Sequence, residues 1–345
     1  MSKAPKGRPE APAPSGGGES SSRRGNVNQA PKGRPEAPAP PEGGERSSLP
    51  GDDTPHRCGH VAIVGRPSVG KSTLVNALVG ERISITSRRP QTTRYRIVGV
   101  LTEPGVQFVF VDTPGFQTRH ASTLNSRLNR AVREALADVD VVVWVVDASR
   151  VNDADLRVLA LVPPDKPAIV ALNKVDLVAD KSALLPLIAG LAAKRAFAAI
   201  VPVSAEKGVQ LNALKREIAA QLPPGPAMYG PDAMTDRDER FLAAEYVREQ
   251  IFRRLGDEVP YATTVGIESF EHEGETRRVG AVVWVDKPGQ RAILLGEGGA
   301  TMKAIASQAR QAMIKLFGGR VHLDVWVRVK KGWADDDASL ARLGY

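Results

Sequence analysis

The sequence has little cysteine, no long apolar run, and an opening stretch almost without large apolar side chains. One cysteine, Cys58, in 345 residues excludes an intramolecular disulfide framework and suits a reducing compartment. No apolar run reaches the roughly 18–20 residues needed to cross a bilayer. The first residues also lack the apolar stretch of a secretory signal, so a soluble, cytoplasmic protein is expected. Residues 1–59 are dominated by Pro, Gly, Ser, Glu and Arg, and APKGRPEAPAP at 4–14 recurs at 30–40. Such a composition cannot bury enough apolar surface to offset chain entropy, which predicts a disordered tail over 1–58. Its Arg and Lys residues allow two readings, a charge-based tether to nucleic acid or a tolerated low-complexity extension.

What is present begins abruptly at His60. HVAIVG (60–65), VQFVFVD (106–112), VDVVVWVVDAS (139–149), PAIVALNK (167–174) and AIVPVSA (199–205) are short β-branched apolar runs. Near-continuous apolarity predicts strands covered on both faces, as in a parallel sheet. Helical patterns lie between them, giving a doubly wound α/β domain over 59–222. PPGPAMYGPD (223–232) breaks the pattern and predicts a linker over 223–236. A smaller α+β domain is expected over 237–332, with 333–345 as a closing segment. Its order reads α-β-β-α-β, with RAILL (291–295) strand-like before a Gly-rich turn, GEGG (296–299).

Net charge is +8, and most of the excess lies in the middle of the chain. A local excess also runs from Lys303 to Lys331, with seven basic residues against Asp324 alone. Such a segment attracts polyphosphate chains through charge and counterion release.

Gly65-Arg66-Pro67-Ser68-Val69-Gly70-Lys71-Ser72 matches the phosphate-binding pattern GxxxxGK[ST], directly after a strand and before a helix. Its glycines let backbone N–H groups wrap a β-phosphate, and Lys71 places a point charge on the β/γ oxygens. Ser72 supplies a hydroxyl to Mg²⁺, and the helix that continues through Thr73 directs its positive end at the phosphates. Asp112-Thr113-Pro114-Gly115 ends a second strand, with a carboxylate for Mg²⁺ and a Gly N–H for the γ-phosphate. Asn173-Lys174-Val175-Asp176 ends another. The Asp176 carboxylate can accept from guanine N1–H and the exocyclic amine, which adenine does not offer together. Asn173 ties this loop, and the Lys174 stem can lie along the base. Ser204-Ala205 ends the last strand, within reach of the guanine carbonyl oxygen. Four motifs in this order at strand ends predict GTP/GDP with Mg²⁺.

Ser84–Arg96 is polar and unpatterned and carries Arg88, Arg89, Arg94 and Arg96. It is the natural place for a switch loop whose Thr closes over Mg²⁺. Thr92 and Thr93 both stand as candidates. The provisional metal set is Ser72, Thr93 and Asp112, and Lys71, Thr93 and Gly115 are expected to act on the reacting phosphate.

The chain resembles the Era family of bacterial GTPases. The resemblance rests on ISITSRRPQTTRYRIVGV, VFVDTPGF, LNKVD, VPVSAEKG, TDRDERFLAAEYVREQIF and KKGWADDDASLARLGY, and it covers roughly 60–345. It implies a GTPase domain followed by a type II KH domain that binds 16S ribosomal RNA near its 3′ end during assembly of the 30S subunit. A monomer is expected, with peripheral contact to the inner face of the cell membrane as a secondary behaviour. Phe116 follows DTPG where Ras-like enzymes place a water-orienting Gln, which predicts slow intrinsic turnover. Ser68 stands where potassium-recruiting relatives carry Asn. Serine still offers an oxygen, but the shorter side chain predicts a reduced K⁺ response.

Gly296-Glu297-Gly298-Gly299 occupies the GxxG position of a KH domain, where small residues let the backbone approach nucleotide phosphates. Arg291, Lys303 and Arg310 are the expected basic partners, within a segment that also carries Lys315, Arg320, Arg328 and Lys330. Glu297 departs from expectation, since an acid there repels phosphate. Two competing readings are a GTP-binding RNA scaffold with negligible hydrolysis and the related double-domain ribosomal GTPase. The single GxxxxGKS disfavours the latter.

Overall fold

Strand β4 (Val141–Asp147) shows why these runs are apolar throughout. Val141, Val143 and Val145 pack into one core, while Val142, Trp144 and Val146 pack into another, and all six are fully buried. A strand covered on both faces has no side left for polar alternation. The computed structural model describes residues 56–116, 123–256 and 258–333. The tail expected over 1–58 lies almost wholly outside them, as does nearly all of the closing segment 333–345.

The first sheet runs β2-β3-β1-β4-β5-β6. Strands β1 (Arg57–Val64), β3 (Val106–Asp112), β4, β5 (Ala168–Asn173) and β6 (Ala199–Pro202) are parallel, and β2 (Ile97–Glu103) pairs antiparallel with β3. Helices α1 (Lys71–Val79) and α5 (Leu211–Gln221) cover one face; α2 (Thr123–Ala137), α3 (Asp153–Leu159) and α4 (Leu184–Ala192) serve the other. Because the parallel strands point the same way, the turns after β1, β3, β5 and β6 emerge at one end of the sheet.

The segment expected as a linker is pinned to the first sheet. The Met234 carbonyl accepts from Val100 N–H at 2.9 Å, and the Pro223 carbonyl accepts from Cys58 N–H at 3.2 Å. The buried Gln107 side-chain oxygen accepts from the N–H groups of Met228 and Tyr229 at 2.8 and 2.9 Å. Tyr229 and Ala233 then pack over Cys58, Val98, Val100 and Val109.

A second sheet has the order β7-β8-β9: β7 (Thr263–Glu273) is antiparallel to β8 (Thr276–Val285), which is parallel to β9 (Arg320–Val329). Helices α6 (Glu239–Arg254), α7 (Pro288–Leu295) and α8 (Ala300–Phe317) accompany it. On α8 the buried residues Met302, Ile305, Ala309 and Met313 recur at helical spacing. RAILL is helical, not strand-like, so the order is α-β-β-α-α-β. Pro288 starts the helix with a preset φ, and the Gln290 side chain accepts from the N–H groups of Asp286 and Lys287 at 3.0 and 2.9 Å. Of its apolar run only Leu294 is fully buried, while Ile293 points outward.

Candidate nucleotide site and glycine loop

Each glycine in the phosphate loop answers a specific contact. A Cβ on Gly65 would lie 2.5 Å from the Val145 carbonyl oxygen, and one on Gly70 would lie 2.4 Å from Asn173 Nδ2. Gly70 also holds φ +100°, a left-handed conformation that favours glycine. A Cβ on Gly115 would meet the Pro67 backbone at 2.8 Å, so the turn after β3 closes against the phosphate loop only because Gly115 has none.

Asn173 knits three motifs together. Its Nδ2 donates to the Val69 carbonyl at 2.8 Å, and its Oδ1 accepts from Ala205 N–H at 3.0 Å. Lys174 donates to the Ser68 carbonyl and to Asp147 Oδ2, each at 2.7 Å. The Ser204 hydroxyl donates to Asp176 Oδ1 at 2.5 Å and accepts from Lys207 N–H at 3.1 Å. Burial alone would raise the Asp147 carboxyl, but hydrogen bonds from Lys174 and Ser149 outweigh it and hold it below the ordinary range.

The metal candidates converge. Ser72 Oγ donates to Asp112 Oδ2 at 2.7 Å and lies 2.7 Å from Thr93 Oγ1. Ser84 Oγ donates to the same Asp112 oxygen at 2.6 Å. Thr92 instead turns to Ser87 Oγ (2.5 Å) and the Arg89 carbonyl (2.8 Å), so Thr93 is the threonine that faces the site. Asp112 Oδ1 is buried with no hydrogen-bond partner among the described residues. Burial pushes the Asp112 carboxyl up, against hydrogen bonds from Ser84 and Ser72 and the Lys71 charge. A buried carboxylate with an idle oxygen and two hydroxyls beside it fits a hard, oxygen-seeking cation. Lys71 is buried; burial lowers its ammonium to about 8, partly offset by Asp112, and its Nζ donates to the Arg66 carbonyl at 3.2 Å. Phosphate oxygens brought to it would favour the charged form further. The Thr113 hydroxyl is spent internally on the Ile63 carbonyl at 2.8 Å. Phe116 packs against the core behind the sheet, with the Arg133 guanidinium 5.9 Å over its ring.

The glycine loop at the head of α8 is a short 3₁₀ turn over Glu297–Gly299. Gly296, Gly298 and Gly299 have φ of +71°, +56° and +80°. A Cβ on Gly296 would clash with Thr301 Oγ1 at 2.2 Å, whereas Gly298 and Gly299 face open space. Arg291, Glu297, Lys303 and Arg310 are exposed around this loop and along α8, where the ten steps from Ala300 to Arg310 span about 15 Å. Arg328 is not part of this group: it pairs with Glu268 on β7 and stacks over Trp284 at 5.6 Å.

Residues 60–174 match the family described as 50S ribosome-binding GTPase, and residues 258–334 match the KH domain family. GTPase Era of Bordetella avium is 53% identical over 289 residues, covering 84% of this chain and 98% of that protein. GTPase Era of Stenotrophomonas maltophilia is 48% identical over 295 residues, covering 85% and 99%. This chain belongs to the Era family of GTPases. Among solved structures, Era in complex with MgGDPNP and nucleotides 1506–1542 of 16S ribosomal RNA is 34% identical with a TM-score of 0.81, covering 84% of this chain and 99% of that one. An Aquifex aeolicus Era variant bound to GDP·AlF4⁻ gives 33% and 0.81.

In this Era-family chain, sequence reasoning missed Ser84 and Asp147. Ser84 opens the polar Ser84–Arg96 loop, but nothing in the sequence aims its hydroxyl at Asp112. Asp147 ends a strand as Asp112 and Asn173 do, and that shared position was the available signal.

Proposed function

We propose that the chain binds GTP with Mg²⁺, hydrolyses it slowly, and uses its KH domain to hold the single-stranded 3′ end of 16S ribosomal RNA during 30S assembly. The observation that carries the reading is the convergence of four strand-end loops on one site, with Ser72 and Thr93 beside the idle oxygen of buried Asp112. In this reading Gly65, Ser68, Val69, Gly70, Lys71, Ser72 and Thr73 wrap the phosphates. Asn173, Lys174, Asp176, Ser204 and Ala205 form the guanine pocket. Ser72, Thr93 and Asp112 would hold Mg²⁺, which would supply positive charge to the terminal phosphates. Lys71 would add a second charge and the Gly115 N–H a donor for the γ-phosphate, so charge stabilisation would supply most of the acceleration. Phe116 packs against the core and has no group to orient water, which supports slow turnover. Ser68 offers only a short side chain to potassium, so rates in potassium and sodium should differ little.

On the RNA side, Gly298 and Gly299 admit phosphates close to the backbone, with Arg291, Lys303 and Arg310 supplying charge. Era bound to the 16S rRNA fragment is the relative that supports this partner. Among the described residues no helix is long and apolar enough to cross a membrane, and we place the protein in the cytoplasm with at most peripheral membrane contact. The test is binding of a labelled 16S 3′-end oligonucleotide against a scrambled one, with GTP hydrolysis measured on the same preparation. Tighter binding of the native sequence is expected; equal binding of both would overturn the partner.

A further inference from the structure

The loop that carries Thr93 is fastened to the KH half of the molecule on both sides. On its near side, fully buried Glu249 of α6 accepts from Thr86 N–H at 2.9 Å and pairs with Arg82. Arg253 donates to the Thr86 carbonyl and hydroxyl oxygens at 3.1 Å each, and Ile85 enters the core beneath the second sheet. On its far side Arg94 is 2% exposed. Its guanidinium donates to the carbonyls of Thr263 (2.8 Å), Tyr261 (3.1 Å) and Pro260 (3.2 Å), and lies over the rings of Phe252 (5.5 Å) and Trp333 (6.0 Å).

Thr93 and Arg94 are consecutive, yet their side chains belong to different halves of the molecule. One hydroxyl sits 2.7 Å from Ser72 at the metal site, and the next side chain is sunk among carbonyls of the KH half. A buried guanidinium that loses its acceptors leaves a charge stranded away from water, so Arg94 holds its seat firmly. The chain between the two side chains is a single peptide unit with little slack. Where Arg94 is seated, Thr93 is held.

We infer that Arg94 is a positioning residue for the metal site: anchored in the KH half, it presents the Thr93 hydroxyl to Ser72 and Asp112. The inference rests on the proposed assignment of Ser72, Thr93 and Asp112 to Mg²⁺. It assigns Arg94 no contact with nucleotide, so guanine and phosphate-loop contacts should not depend on it.

The experiment uses the full chain and follows dissociation of a fluorescent GTP analogue as Mg²⁺ is titrated, beside kcat and KM for GTP. Thr93→Ala is measured first, and it should raise the Mg²⁺ concentration for half-maximal retention. No effect of Thr93→Ala would sink the metal assignment itself, a failure seen before Arg94 is touched. Arg94→Ala should raise half-saturation about tenfold, within the usual range of coupling between sites, and lower kcat with KM little changed. Retention without Mg²⁺ should stay as in the unmodified chain. In the Thr93→Ala background the same change should do almost nothing further, because the group it positions is gone. Arg94→Lys keeps the charge but not the three-carbonyl fork, and should fall between the unmodified chain and Arg94→Ala. Unchanged Mg²⁺ half-saturation in Arg94→Ala, or an equal loss in both backgrounds, would overturn the inference. If Arg94→Ala fails to fold by circular dichroism, Arg94→Lys carries the test, and an unchanged half-saturation there overturns it.

Discussion

Asp176 follows β5 with one carboxylate oxygen already engaged by the Ser204 hydroxyl at 2.5 Å. That bond restrains the carboxylate, and the Asn173 ties hold the neighbouring turn against the phosphate loop; the proposed guanine contact would use this carboxylate. Asp176→Asn keeps the shape but replaces one acceptor by a donor. GTP binding should weaken by about 2–3 kcal/mol, since a charge-assisted pair is lost and a donor faces a donor. Xanthosine triphosphate, with an oxygen where guanine has the amine, should gain. Competition of labelled GTP by GTP, ATP and XTP on both proteins measures it, and unchanged preference in the variant would unseat Asp176. Residues of this kind were legible because motif and strand end coincide. Ser84 was not, because a serine in a polar loop carries no sign of where its hydroxyl turns, and its contact with Asp112 joins positions 28 residues apart.

The elements were readable where their burial pattern was extreme. Strand β4 is buried on both faces, and α8 shows a clean helical stripe. RAILL was misread because five residues fit either period. The deciding features lie outside the run, in Pro288 and in the Gln290 cap on Asp286 and Lys287. The corrected reading sets the glycine loop between two helices, and it locates the residue best suited to testing that loop. Gly298 has nothing within 4 Å of where a Cβ would stand, so Gly298→Asp adds no clash, and of the side chains that strain at its φ of +56° Asp is among the least costly. The new carboxylate would sit beside Glu297 on the expected phosphate path. RNA affinity should fall most at low salt and the deficit should shrink as salt rises. Residual, salt-sensitive binding should remain through Lys303, Arg310 and their neighbours. GTP affinity should not move. Anisotropy at two salt concentrations, with GTP binding on the same sample, checks this; unchanged RNA affinity would mean the loop does not meet phosphate.

At the scale of the whole molecule, the two halves share a core residue. Ile85 is carried by the Ser84–Arg96 loop of the first half, yet it is 1% exposed in the core of the second, among residues such as Tyr246, Val247 and Met313. No local pattern could show this, since Ile85 and its neighbours on α6 are some 160 positions apart in the chain. Ile85→Ala should therefore destabilise the KH half, by about 2–5 kcal/mol for a buried isoleucine whose cavity does not collapse. Four tryptophans make the measurement selective: Trp144 lies in the first sheet, while Trp284, Trp326 and Trp333 lie in the second half. Urea unfolding followed by tryptophan fluorescence thus reports chiefly on the part that Ile85 is expected to hold. The midpoint should fall in Ile85→Ala, while Leu185→Ala, at a site 71% exposed on α4, should shift stability by no more than about 0.5 kcal/mol. If Ile85→Ala left the fluorescence transition where it was, the loop would be free of the KH half in solution, and Glu249 would lose the packing that brings it to the loop and Arg94 the packing that brings it to its carbonyls.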